Sequence, residues 1–132
     1  MIGLDTNVLV RLLVEDDLAQ TEQARRFIEN HCTPESPGFI NCVVLAELVW
    51  VLESFYRFDR AEIAAAIESI LAGRDRVVEY HDDVRAALAE FGSARIDFID
   101  AMIGRINRAR GCEATATFDR KAARREGFIR VS

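Results

Sequence analysis

Met1-Ile2-Gly3-Leu4-Asp5-Thr6-Asn7-Val8-Leu9-Val10 decides how the rest of this chain is read. An apolar run meets a single carboxylate, Asp5, and a second apolar run opens at Val8. That is the pattern of a short buried strand handing over to a helix, with Thr6 or Asn7 near the cap. Asp5 then stands at the C-terminal end of a strand, the edge where open α/β sheets collect their ligands. By itself the carboxylate reads more simply as a helix cap. A larger role requires other acids at the same edge.

Working outward, 132 residues make one domain, 1–132, with no room for a second core. Half the residues are apolar, 50%, enough for a sizeable core and too many for disorder. No apolar run is long enough to span a bilayer, and the opening lacks a basic leader region. Cys32, Cys42 and Cys112 are odd in number and without CxxC spacing, which points to a reduced, cytoplasmic protein. The net charge of −5 speaks against nucleic acid until it is divided along the chain. Residues 1–94 carry 8 basic and 17 acidic side chains, whereas residues 95–132 carry 9 basic and 5 acidic. A basic final third suits a polyanionic substrate, and suits solvated helix faces equally.

After the opening strand, residues 8–14 read as a short helix and 18–29 as a second, with Leu18, Ala24, Phe27 and Ile28 on its inner side. Residues 33–38 hold both prolines and form a loop before a brief strand at Phe39-Ile40. Asn41 caps the strongest helix, 43–56, whose inner stripe is Val44, Leu45, Leu48, Val51, Leu52 and Phe55. Asp59 and Glu62 form a capping box for a helix ending at Gly73. Val77-Val78 with Tyr80 is another strand, and Asp82 or Asp83 caps a helix through Phe91. Residues 96–110 are helical and Gly111 stops them; 114–118 form a strand, 119–126 a short basic helix, and 128–131 a last strand. Strands alternating with helices imply a largely parallel α/β sheet with right-handed crossovers.

Three more acids repeat the opening pattern. Asp119 sits, like Asp5, where an apolar strand gives way to a helix, with Thr117 nearby. Asp97 and Asp100 share a face near a helix start, where the dipole favours anions, although Asp97 reads as an N-cap. Glu47 lies among Val44, Leu48 and Val51 in the first half of its helix. In a parallel sheet these positions fall at one edge, so Asp5, Glu47, Asp100 and Asp119 can converge. Clustered carboxylates repel, and all-oxygen ligation of Mg²⁺ or Mn²⁺ relieves them. One such ion, or two about 4 Å apart, activates a water for phosphodiester hydrolysis. Competing chemistry is sparse: His31 and His81 read as surface residues, and no phosphate loop or nucleophile elbow appears. Trp50, Phe55 and Tyr56 read as core or partner surface and not as a base-stacking platform.

The stretch 2–10 resembles the opening of PIN-domain ribonucleases, particularly VapC-type toxins of type II toxin–antitoxin pairs. Val44-Leu45-Ala46-Glu47-Leu48, Asp97-Phe98-Ile99-Asp100-Ala101-Met102-Ile103 and Ala116-Thr117-Phe118-Asp119 resemble the later acid motifs of that family, in the same order. The resemblance implies a PIN-like three-layer α/β fold with a central five-stranded parallel sheet flanked by helices. It implies Mg²⁺ or Mn²⁺ held mainly by Asp5 and Asp100, with Glu47 and Asp119 completing the pocket directly or through waters. Thr6, Asn7 and Thr117 would orient the carboxylates by hydrogen bonding, with Asp97 in support. It further implies a homodimer, held inactive in a hetero-oligomer with a VapB-type antitoxin, and favours tRNA among RNA substrates. One departure is Gly104-Arg105-Ile106-Asn107-Arg108, where many relatives keep an alanine-rich run.

The expected activity is therefore RNA hydrolysis leaving a 3′-hydroxyl and a 5′-phosphate. Arg105, Arg108, Arg110, Arg120, Lys121, Arg124 and Arg125 are candidate phosphate contacts. An α/β phosphatase or phosphoacceptor domain using Asp5 fits less well. Asn7 takes the place of a second acid, and Lys121 follows Asp119 inside a helix. A non-catalytic module on the same fold has no need for all four acids.

Overall fold

A computed structural model describes residues 1–93 and 96–131. The chain divides into two compact units, Met1–His81 and Asp82–Ser132. The first contains β1 (Ile2–Gly3), α1 (Thr6–Leu13), α2 (Leu18–His31), β2 (Gly38–Ile40), α3 (Cys42–Ser54), α4 (Arg60–Ala72) and β3 (Arg76–Val78). The second contains α5 (His81–Ser93, from the boundary residue onward), α6 (Phe98–Ala109), β4 (Thr115–Thr117), α7 (Arg120–Ala123) and β5 (Phe128–Arg130).

In the first unit β1, β2 and β3 form a parallel sheet in that order, with Ile2 opposite Gly38 and Gly38 opposite Arg76. Gly38 is central to this pairing: a Cβ there would meet Leu4 Cδ1 at 2.8 Å and Cys32 Sγ at 3.2 Å. Around the sheet, Leu9, Ile40, Leu45, Leu48, Val49, Leu52, Ile63, Ile67 and Ile70 are fully or almost fully buried. Each such side chain contributes about 1.5–3 kcal/mol relative to exposure. In the second unit β4 and β5 pair with each other, again in parallel. The expected five-stranded sheet is therefore corrected: the described strands pair as three and two. Strands of two or three residues carry too little pattern to reveal which sheet they join.

Local signals fared better than pairing. Asn41 caps α3 by accepting from the Val44 amide at 2.8 Å, and Asp59 with Glu62 forms the full capping box of α4. Capping by Asp82 or Asp83 is corrected: α5 starts before them, and both lie in its first turn, where acids suit the helix dipole. On α2 the buried residues are Thr21 and Ile28, while Leu18 is 74% exposed. Thr21 can be buried because its hydroxyl donates to the Arg11 carbonyl at 2.7 Å, which ties α2 to the end of α1. Tyr80 belongs to a turn with φ +55° and not to β3.

α6 ends in a Schellman motif. The Gly111 amide donates to Arg108 O at 2.9 Å, and the Cys112 amide to Asn107 O at 3.0 Å, with Gly111 at φ +94°. A Cβ at this position meets no neighbour, so any cost of adding one is conformational. Gly111→Ala is expected to lower stability by about 1–2 kcal/mol. Urea unfolding would show a lower midpoint with an unchanged slope.

Candidate functional site

At the end of β1 the backbone stays sheet-like through Leu4, whose amide donates to Phe39 O at 2.8 Å. Asp5 then terminates the strand and caps α1, its Oδ1 accepting from the Thr6 amide at 2.7 Å. Capping by Thr6 or Asn7 is thereby corrected: both are the first residues inside the helix. Glu47 lies in the first half of α3, whose start follows the end of β2. Parallel pairing brings these two strand ends to one edge. Asp5 and Glu47 accordingly line one cavity of about 370 Å³. Asn7 lines it too, as does Thr6, whose buried Oγ1 has no hydrogen-bond partner among the described residues. An orphaned hydroxyl beside two carboxylates fits a polar ligand carrying its own hydration.

The second unit supplies the other acids. Asp97 is the N-cap of α6: its Oδ1 accepts from the Ile99 amide at 2.9 Å and the Asp100 amide at 3.1 Å. Asp100 follows in the first turn, half-buried. Burial pushes its carboxyl above the usual range, and the neighbouring charges of Asp97 and Asp119 push it further. Asp119 caps α7 by accepting from the amides of Lys121 (2.8 Å) and Ala122 (3.2 Å). The Thr117 hydroxyl accepts from the Asp119 amide at 3.0 Å, so Thr117 positions the backbone that carries this acid. The expected basic helix 119–126 shortens to the four residues of α7.

Within each unit the sequence-derived acids are thus neighbours, Asp5 with Glu47 and Asp100 with Asp97 and Asp119. Among the described residues no group of three His, Cys, Asp or Glu side chains is assembled to hold an ion. The chemistry of the donor set nonetheless suits a hard divalent cation. It consists of carboxylates and hydroxyls, and Asp100 bears repulsion that a cation would relieve. Both histidines are exposed, His31 stacking on Phe27 with ring centroids 4.4 Å apart. Cys32, Cys42 and Cys112 are free thiols, and burial raises the first two above the usual thiol range.

Of the candidate phosphate contacts, Arg105 and Arg125 are already engaged. Glu90 accepts from Arg105 Nε at 2.9 Å and lies 3.5 Å from Arg125 Nη2. Sequence reasoning missed a different set in the first unit. Arg11 and Tyr56 line the cavity of Asp5 and Glu47, and both bind Asp16. Separations of 5 and 40 residues left no local pattern to find them by. Phe55, placed on the inner stripe by periodicity, is 75% exposed and lines the same cavity.

Comparison with known proteins adds two findings. The PIN domain family matches residues 2–127. A VapC ribonuclease of Aquifex aeolicus (strain VF5) is 26% identical over 118 residues, a stretch covering 89% of this chain and 87% of that protein.

Proposed function

The chain belongs to the PIN domain family, and from that premise we propose that it is a metal-dependent endoribonuclease, the toxin of a toxin–antitoxin pair. The reading is supported by the VapC ribonuclease related over most of its length. The physical observation that carries it is Asp100, a half-buried carboxyl under pressure from two further acids on the same unit. Acids perturbed in this way cluster at functional sites.

In this reading Asp5 and Asp100 hold Mg²⁺ or Mn²⁺, and Glu47 and Asp119 complete the acidic pocket. The ion, when bound, supplies water activation and neutralises charge developing on the phosphate. A carboxylate oxygen of Glu47 or Asp119 accepts the proton released by the attacking water. Asp97 and Thr117 fix the backbone amides of Asp100 and Asp119, so both carboxylates start from held positions. Thr6 and Asn7, in the first turn of α1, supply polar groups beside Asp5. Products would carry a 3′-hydroxyl and a 5′-phosphate.

The reading extends to partners: an RNA substrate with tRNA the favoured class, a homodimer, and a VapB-type antitoxin that neutralises it in a hetero-oligomer in the cytoplasm. No helix among the described residues is long and apolar enough to cross a membrane. The test is incubation of the purified chain with a mixed RNA pool. Cleavage that needs Mg²⁺ or Mn²⁺, stops with EDTA and leaves 5′-phosphate ends is the expected result. Cleavage unaffected by EDTA, or 2′,3′-cyclic phosphate ends, would contradict it.

A further inference from the structure

An acidic cavity repels the phosphates of the substrate it is meant to cleave, so a cation and an adhesive surface are needed beside the acids. Within the first unit both are present. Among the described residues Arg11, in the last turn of α1, is the one cationic side chain lining the cavity of Asp5 and Glu47. Its Nη1 lies 2.6 Å from Asp16 Oδ1, and Asp16 Oδ2 accepts from the Tyr56 hydroxyl at 3.1 Å. The triad ties the end of α1, the following loop and the residues after α3 together. With side chains 26% and 45% exposed, the ion pair adds little stability. Its consequence is to hold a guanidinium beside the carboxylates, and five N–H donors leave this group capacity beyond Asp16.

The adhesive surface is aromatic. Glu47, Val51 and Phe55 succeed one another at four-residue spacing, so they form one stripe along α3 and its C-cap. All three line the cavity. Phe55 is 75% exposed, and its ring packs edge-on to Tyr56, with centroids 5.0 Å apart and planes at 71°. Tyr56 is itself anchored through Asp16. An exposed ring, a fixed guanidinium and a carboxylate wall around one cavity match the needs of a splayed, single-stranded nucleotide.

Against the sequence reading of Phe55 as core or partner surface, we infer that Arg11 and Phe55 form a nucleotide subsite beside the acids, with the guanidinium on a backbone phosphate next to the scissile one and the Phe55 ring stacked on an unpaired base. Asp16 and Tyr56 are its positioning residues. The inference rests on the ribonuclease reading and adds to it the side chains of the first unit that hold a single-stranded nucleotide. The Phe55 ring and the Arg11–Asp16–Tyr56 triad favour this occupant over a protein partner, because the ring shares its cavity with charged groups that an apolar partner surface would have to desolvate.

The test is fluorescence anisotropy of a short labelled single-stranded RNA and its duplex, in EDTA so that binding is read without cleavage. Phe55→Ala is expected to weaken single-strand binding by about tenfold or more, and Phe55→Trp to restore it. Arg11→Ala is expected to weaken binding and to flatten the salt dependence by about one phosphate contact. Arg11→Lys should keep the salt slope, and Tyr56→Phe, which frees Asp16, should weaken binding less than Arg11→Ala. Wild-type affinity and salt slope in both alanine variants would overturn the subsite while leaving metal-dependent cleavage intact. So would unchanged RNA binding accompanied by altered self-association of Phe55→Ala. A wild-type chain that neither binds nor cleaves RNA would overturn the subsite and the ribonuclease reading together.

Discussion

Asp5→Asn is expected to reduce RNA cleavage by at least about a hundredfold while leaving thermal stability close to that of the wild type. The substitution separates the observed cap from the proposed role as a cation ligand. As a cap, Asp5 uses Oδ1 to accept from the Thr6 amide, and asparagine keeps an oxygen for that purpose with equal capping preference. As a cation ligand, the residue needs its charge, which asparagine lacks. Asp5→Ala removes both functions and should add about 1 kcal/mol of destabilisation to the same loss of activity. Matching activity losses with different unfolding midpoints is the expected pair of results, read by an RNA cleavage assay and by urea denaturation. Full activity in Asp5→Asn would reduce this residue to a helix cap.

The second large effect is a stability gain at Asp100, a residue proposed to hold the cation. Asp100 has its carboxyl pushed above the usual range by burial, then by Asp97 and Asp119. The native state therefore holds this proton more tightly than the unfolded chain does. As pH rises from the ordinary carboxylate value of about 3.9 through the raised native one, ionisation costs the native state stability. Below the ordinary value both states are protonated and the cost is absent. Asp100→Asn is accordingly expected to melt at a higher temperature than the wild type at neutral pH, with the difference vanishing in strong acid. Mg²⁺ should reverse the ranking, because a bound cation stabilises the native wild type and has lost its ligand in the variant. Differential scanning fluorimetry at two pH values, with and without Mg²⁺, reads both effects. A variant less stable at neutral pH without metal would show that the carboxylate is favourably compensated.

Which features were legible follows from their range. Asn41, the Asp59–Glu62 box and the Gly111 stop are settled by bonds spanning three to five residues, and the sequence displays such bonds directly. The candidate acids were legible because strand-to-helix junctions repeat around Asp5 and Asp119 and family motifs mark Glu47 and Asp100. Strand pairing was not legible: the described strands pair as three and two, a choice that runs of two or three residues do not display. Phe55 misled for a different reason. Apolar periodicity continued the α3 stripe one residue past its last helical turn, where the chain leaves the core. Arg11, Asp16 and Tyr56 look like ordinary surface residues until folding sets them around one carboxylate.

The central proposal is that divalent-cation binding needs Asp5 and needs Asp100. Titration of Mn²⁺ into the wild type, Asp5→Asn and Asp100→Asn, followed by isothermal calorimetry, tests it most directly. Saturable binding in the wild type, lost or at least about tenfold weaker in each single variant, is the expected result. Wild-type Mn²⁺ affinity in either variant would contradict it.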